Sequence, residues 1–457
     1  MKLNTLAAAV LLAGFASSNA MAASTDVAVH GMIKSGTNWV TNDGFRRGTH
    51  GGIGINEQGY FHAFGNEAVH KIQINPTINY TADDGVYARG EIIFSYENYD
   101  NEDWNACNSG NGGMRRGVVY IGGFDFNPST EFWAGKTKDA AGSVFTGGYD
   151  TGYIEDYGVG GGFQNMDLGF AKWDVNIINF DDFYGKPKVD TSKTYKTGAP
   201  TATAITTWLH GIGGTGLDFY FRTVKADKDA GIREDGHYQI PEQATDGFQT
   251  ALVYNTPGYL WFADGFSKIV VQYGKGTGAA AKIAGAAYGI NKDQEFTRVA
   301  IDGCVNFTKD FSMLNMVFFQ HDHRINGADT SRDFFTASVR PVYQVTPHFS
   351  LQFELAYEHA NYSGKGYQDA DGNYSAKHGN HDLFKVTFAP TIQLNPGIWG
   401  SPSISPFITY GKWSQKAVDA GLLSGDGRNA GYANSTDVSK HANKSVTLFG
   451  VQAQAYF

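Results

Sequence analysis

Polar and apolar residues alternate strictly along many short stretches of this chain. From Lys71 to Tyr80 the apolar residues Ile72, Ile74, Ile78 and Tyr80 fall on one face of an extended strand. Lys71, Gln73, Asn75, Thr77 and Asn79 fall on the other. The turn sequence Thr81-Ala82-Asp83-Asp84-Gly85 follows, and Tyr87, Arg89, Glu91, Ser95 and Glu97 then resume the polar side. Two strands with one polar face each, joined by a short turn, make a hairpin.

The same grammar recurs downstream. Val299, Ile301, Val305 and Phe307 oppose Arg298, Asp302 and Asn306, and Leu351, Phe353, Leu355 and Tyr357 oppose Gln352, Glu354 and Glu358. Phe384, Val386, Phe388 and Ile392 oppose Lys385, Thr387 and Thr391, and the final stretch sets Phe449, Val451, Ala453, Ala455 and Phe457 against Gln452, Gln454 and Tyr456. Tight turns at Thr81 to Gly85, Phe307 to Asp310 and Asn395 to Gly397 contrast with long Gly/Asn/Asp-rich stretches. Those run roughly from Asp43 to Gly65, Asn98 to Gly113, Thr137 to Gly162, Gly274 to Phe296 and Lys412 to Lys444. Short turns at one rim and long loops at the other describe a transmembrane antiparallel β-barrel, an all-β fold with an apolar exterior and a wet interior. At about two dozen residues per strand plus connection, the length predicts about 16–18 strands, wide enough for an aqueous channel.

The N-terminus supports export. Met1-Lys2, the apolar run Leu6 to Phe15 and the small-residue stretch from Ser17 to Ala23 have the layout of a signal peptide. Residues 1–22 are therefore expected to be removed, with Ala20 and Ala23 as alternative cleavage points, leaving 23–457 as the barrel. No later apolar run reaches the ~18 residues of a transmembrane helix. Glycine is abundant (58 residues) and aromatics make up 14%. The formal charge of -9 is spread without a basic patch, so a nucleic-acid partner is not expected. Of the two cysteines, Cys107 falls in a long loop and Cys304 on a strand near a short turn; opposite ends of a barrel lie beyond disulfide reach.

Catalytic and metal signals are weak. Gly51-Gly52-Ile53-Gly54 lacks the strand-to-helix context of a nucleotide loop, and Asp369-Ala370-Asp371-Gly372-Asn373 lacks the spaced glutamate and flanking helices of a calcium loop. Gln320-His321-Asp322-His323 reads as a wetted loop end. No metal, cofactor or catalytic residue is assigned. The cluster Tyr149, Asp150, Tyr153, Glu155, Asp156 and Tyr157 in the third long loop reads either as a surface turn or, preferably, as a segment folded into the lumen at its narrowest point.

Several segments resemble maltoporin-type sugar porins in collinear order. They are Val27 to Gly36, Gly65-Asn66-Glu67, Asp103-Trp104, Trp133 to Lys136, Gly162 to Phe170, Gly265 to Tyr273, Val339 to Tyr343, Thr409 to Trp413 and the aromatic C-terminus. The resemblance implies an 18-stranded homotrimeric barrel in the outer membrane of a Gram-negative bacterium, in contact with its lipid, whose third loop folds inward. It also implies a sugar channel in which ring faces slide over aromatics while ionic groups bind hydroxyls. Trp104, Phe266, Trp399 and Tyr456 match aromatic slide positions, whereas Met32 and Lys71 stand where the family has tyrosines. Phe266, Trp399 and Tyr456 are expected on inward-facing strand positions. Lys34 and Arg115 match basic track positions, Gln73 replaces an acidic one, and Tyr149 and Tyr153 approximate the constriction tyrosine. Trp104 and Trp399 also fit rim-belt aromatics, and the lysines and Arg115 also fit ordinary lumen charges. Passage of oligosaccharides is the leading expectation; general diffusion, or passage of another small solute, is the alternative that Met32 and Lys71 favour.

Overall fold

In the computed structural model the alternating stretches are eighteen long antiparallel strands closed into a barrel. The structure describes residues 22–40, 46–47, 54–55, 70–98, 111–138, 144–145, 152–154, 157–181, 201–226, 244–279, 290–325, 330–364, 367–368, 374–375, 379–419, 423–424 and 444–457. The expected signal segment, except Ala22, lies outside these residues, as do Cys107 and the motifs at 51–53 and 369–373. The barrel begins with β1 (Ala22–Val40), β2 (His70–Ala82), β3 (Tyr87–Asn98), β4 (Asn111–Gly122), β5 (Glu131–Lys138) and β6 (Tyr157–Asp167). It continues through β7 (Lys172–Asp181), β8 (Thr201–His210), β9 (Leu217–Ala226), β10 (Asp246–Thr256), β11 (Gly265–Gly276) and β12 (Glu295–Thr308). It ends with β13 (Phe311–His323), β14 (Thr330–Thr346), β15 (Phe349–Gly364), β16 (Gly379–Gln393), β17 (Ser403–Trp413) and β18 (Ser445–Tyr456). A short helix, α1 (Gln415–Asp419), follows β17.

Each strand pairs with its neighbours in sequence, and β18 returns to β1 over Met32↔Tyr456 through Val40↔Leu448. The connections after β2, β12 and β14 are tight turns, and those after β1, β3, β5 and β17 are long. Strands run further than the loop pattern suggests: β5 extends to Lys138 and β6 starts at Tyr157, so the third long connection is shorter than the expected 137–162. Three further long connections, after β7, β9 and β15, fall outside the long stretches expected from the sequence.

Alternation sets the two faces. Ile72 and Ile74 are 46% and 43% exposed, and Val119, Ile177, Ile205, Leu252, Val317, Leu355 and Ile408 behave alike around the barrel. An exposed apolar band of this extent suits lipid and not water. Aromatic groups flank it. Phe124, Phe126, Phe132 and Phe163 pack in sequence at the short-turn rim, and Phe163 meets Trp173 edge-on at 5.0 Å. A lysine in the middle of this band, Ile205→Lys, is expected to lower barrel stability by about 2–4 kcal/mol. Denaturant titration of refolded protein in lipid vesicles measures it, with Ile205→Val as a near-neutral reference.

The inner face is less uniformly polar than a wet lumen suggests. Trp208, Tyr220, Ala251, Val270, Phe318, Phe334, Tyr362, Leu383, Trp413 and Leu448 form one buried apolar cluster on inward positions of β8–β18. Ala417 and Val418 of α1 join it, so non-strand segments cover part of this wall.

Candidate functional site

Inward positions divide the wall into two arcs. On β9 through β17 many inward polar residues are closed off: Arg222, Gln249, Gln272, Arg298, Glu354, Lys385, Thr387 and Thr409 are at most 1% exposed, whereas Lys268 of β11 and Arg340 of β14 are half-buried. On β1 and β2 the inward residues Met32, Lys34, Lys71 and Gln73 are half-buried. This second arc lines the barrel with side chains that keep some exposure.

Register arranges that lining in rows, because residues opposed across a strand pair share a face. Tyr456 of β18 opposes Met32 of β1, which opposes Gln73 of β2, which opposes Ser95 of β3. The next row toward the long loops runs Gln454, Lys34, Lys71. Glu97 of β3 is the register partner of Lys71. Met32, Tyr456, Gln73, Lys34 and Lys71, separate in sequence, are thus brought onto one patch.

A charged ladder continues the lining across β3–β5. Arg89 Nη1 meets Glu91 Oε1 at 3.1 Å and Arg89 Nη2 donates to Glu131 Oε2 at 3.0 Å. Arg116 Nε meets Glu91 Oε2 at 3.1 Å, the Tyr87 hydroxyl donates to Glu131 at 2.9 Å, and Arg116 also donates to the Tyr120 hydroxyl. Arg89 lies over the Tyr120 ring, 4.3 Å from its centroid. Sequence reasoning placed Arg89 and Glu91 on the polar face but overlooked Arg116 and Glu131. Arg115, the expected track residue, is the extra residue of a β-bulge: Ile93 pairs with Arg116 and Phe94 with Met114. The inward cation bound to Glu91 is its neighbour.

The other expected residues lie apart. Phe266 opens β11 at the short-turn rim and opposes Cys304 of β12, on the inward face, 40% exposed. Trp399 is not on a strand, which corrects the expected parity: it sits in the turn between β16 and β17, 57% exposed. That turn touches the end of the barrel seam, where the Tyr456 amide donates to Ser401 Oγ at 2.9 Å. Trp104, Tyr149, Asp150 and Glu155, with the side chain of Tyr153, lie outside the described residues. Between Tyr153 and Glu155, Ile154 is fully buried and belongs to the apolar cluster of Trp208 and Tyr220. Gln320 and Asp322 of the His-rich stretch point inward, and Arg332 Nη2 meets Asp322 at 2.6 Å; His321 opposes Asp333 on the other face, 2.6 Å away.

Beside the third connection the inner wall is floored by glycine. Gly158, Gly160 and Gly162 of β6 alternate with the outward Val159, which is 56% exposed. Across Gly162, Trp133 Nε1 of β5 donates to Asn176 Oδ1 of β7 at 3.1 Å, so the bare position lets the indole reach two strands over.

The sequence profile of the LamB porin family matches residues 27–457. Among solved structures, the outer membrane protein OprD from Pseudomonas aeruginosa aligns at 9% identity with a TM-score of 0.49, covering 96% of this chain and 95% of that one. OmpT of Vibrio cholerae aligns at 12% identity with a TM-score of 0.41, covering 95% and 98%.

Proposed function

The chain belongs to the LamB porin family, an outer-membrane diffusion channel and not an enzyme, and on that premise we propose that it passes sugars along the open arc of its inner wall. The observation that carries this reading is the adjacency of two unlike rows: Tyr456 and Met32 offer apolar contact for a ring face, while Gln73, Gln454, Lys34 and Lys71 beside them offer hydroxyl partners. Sugars present both surfaces at once. Phe266 and Trp399 add aromatic surface at the short-turn rim, where a solute leaves or enters. Many weak contacts in series permit passage, whereas a single tight site would hold the solute.

The third long connection is proposed to fold into the lumen and narrow it, with Tyr149, Asp150, Tyr153 and Glu155 at the constriction. Burial of Ile154 among inward-facing residues supports this, as does the glycine floor of β6. The working form is proposed to be a homotrimer, with Trp104 reaching the mouth of an adjacent subunit.

Met32 and Lys71 break the run of aromatics, and that observation favours a second reading, general diffusion. Single-channel conductance in planar bilayers separates the two. Saturable current block by maltotriose, sucrose or a β-linked disaccharide is expected, with the half-blocking concentration raised about tenfold by Tyr456→Ala or Phe266→Ala. Large ionic conductance without block by any sugar establishes general diffusion instead.

A further inference from the structure

We infer that Trp208, Gln249 and Gln272 form a second binding station for sugar hydroxyls, on the β8–β11 wall and apart from the open arc; the inference rests on the sugar reading above. All three point inward, since Ile205, Leu252 and Val271, on the alternate positions of the same strands, are 47%, 49% and 45% exposed on the lipid face. They are at most 3% exposed, yet Trp208 Nε1, both amide atoms of Gln249 and Gln272 Nε2 have no hydrogen-bond partner. Buried polar groups are paired in the great majority of cases, and an unpaired one costs stability. Several such atoms on one stretch of wall point to a ligand.

Register brings them together. Trp208, Tyr220, Ala251 and Gln272 follow one another in a single row across β8 to β11. At about 4.8 Å per strand the row is about 14 Å wide, room for a segment of an oligosaccharide. Ala251 carries only a methyl and is the lowest point of the row. Gln249 lies one row toward the long loops, diagonal to both Tyr220 and Gln272 and about 7–8 Å from each. Trp208 and Tyr220 meet edge-on at 5.0 Å and give one end of the row an aromatic surface. At the other end Arg298 Nη1 donates to Gln272 Oε1 at 2.8 Å, which fixes that amide with its nitrogen turned away from the cation. The unpaired set is therefore an indole N–H, two amide NH2 groups and one amide carbonyl beside an aromatic pair, a match for ring faces and hydroxyls. None of the three residues carries charge, so the solute class is neutral sugar. Ile154, with Ala417 and Val418 of α1, belongs to the apolar cluster of this wall, and the station is closed in this structure. Opening it lets hydroxyls take the donors and acceptor that the closed wall leaves unpaired, and that gain favours entry of the solute.

Guanidinium unfolding in detergent micelles and current block in planar bilayers together test the inference, with maltotriose, or whichever of the sugars above blocks the wild type, as the probe. Gln249→Leu is expected to raise the unfolding midpoint, because it removes an unpaired buried amide, and to raise the half-blocking concentration about fivefold. Trp208→Phe, which loses the N–H and keeps most of the ring, should weaken block to a similar extent. Ionic conductance without sugar shows that each variant has formed a barrel; if Gln249→Leu forms none, block in Trp208→Phe decides. A midpoint that falls or stays level in Gln249→Leu means that the wall, or water within it, already satisfies the amide, and overturns the station. A raised midpoint with block unchanged overturns it equally. If Tyr456→Ala weakens block and the two wall variants do not, the sugar channel stands without the station. If no sugar blocks the wild type, the sugar channel itself fails and the station with it.

Discussion

Replacing Glu354 with alanine is expected to destabilise the folded barrel by about 3–5 kcal/mol, the cost of leaving buried cations without their anion. Glu354 of β15 is fully buried and receives two donors from β14, Arg340 Nε at 3.0 Å and Arg340 Nη2 at 2.7 Å. From the other side, Lys385 Nζ of β16 meets its second oxygen at 3.1 Å, so one carboxylate ties three strands. Alanine leaves Lys385 fully buried and Arg340 only 11% exposed, so neither cation is returned to bulk water. Glu358 of β15 remains as the nearby counter-charge for Lys385 and limits the loss. Removing all three partners together, as Glu354→Leu with Arg340→Met and Lys385→Met, is expected to recover most of the loss, since an apolar trio carries no desolvation cost. Guanidinium unfolding of the refolded protein in detergent micelles, followed by tryptophan fluorescence, measures both. A single variant that costs under about 1 kcal/mol overturns this account of the network.

Gly162→Leu is expected to prevent β6 from docking on β7. A Cβ at this position would lie 1.9 Å from the Val175 carbonyl oxygen, and backbone cannot yield as a side-chain tip can. Gly160 meets the same obstacle at the Ile177 carbonyl, also 1.9 Å away, so the two strands approach closely over consecutive inward positions. The leucine would also stand in the path of the bond from Trp133 to Asn176. The expected penalty exceeds about 4 kcal/mol, in the range where a barrel does not accumulate. Yield of folded protein by heat-modifiable migration in SDS gels reports it. Gly113→Ala serves as the control, because its added Cβ meets nothing within 4 Å and should leave the yield unchanged.

The barrel was legible wherever its two environments differ in polarity. Lipid outside and a polar lumen inside force the period-2 pattern of Ile72 and Ile74 against Lys71 and Gln73, and the structure keeps those faces. The pattern falls silent where both faces are apolar. Phe318 is fully buried on the inward side while Phe319 is 41% exposed on the lipid side, and nothing in the residue types distinguishes them. Bulges and turns defeat counting for a different reason. One extra residue at Arg115 passes the inward role to Arg116, and parity carried past Gln393 into a turn misassigned Trp399. Partners such as Glu131 for Arg89 are invisible because they depend on register between strands. The patch of Met32, Lys34, Lys71 and Tyr456 was legible as single residues, and its adjacency emerged from strand pairing.

Apart from one seam, the long strands pair between neighbours in sequence, through hairpins whose ends are already close. The seam joins Met32 to Tyr456 and is sealed further by reciprocal backbone bonds between Gly31 and Phe457, of 2.8 and 3.0 Å. The chain-entropy cost of bringing distant segments together is therefore concentrated at this single junction. Mechanically the cylinder resembles a zip fastener bent into a ring. Tension applied across the seam loads its bonds together, whereas tension on any open edge peels one hairpin at a time. The lysine-bearing row crosses the seam between β18 and β1, so the lining of the pore is assembled by the same event that closes it.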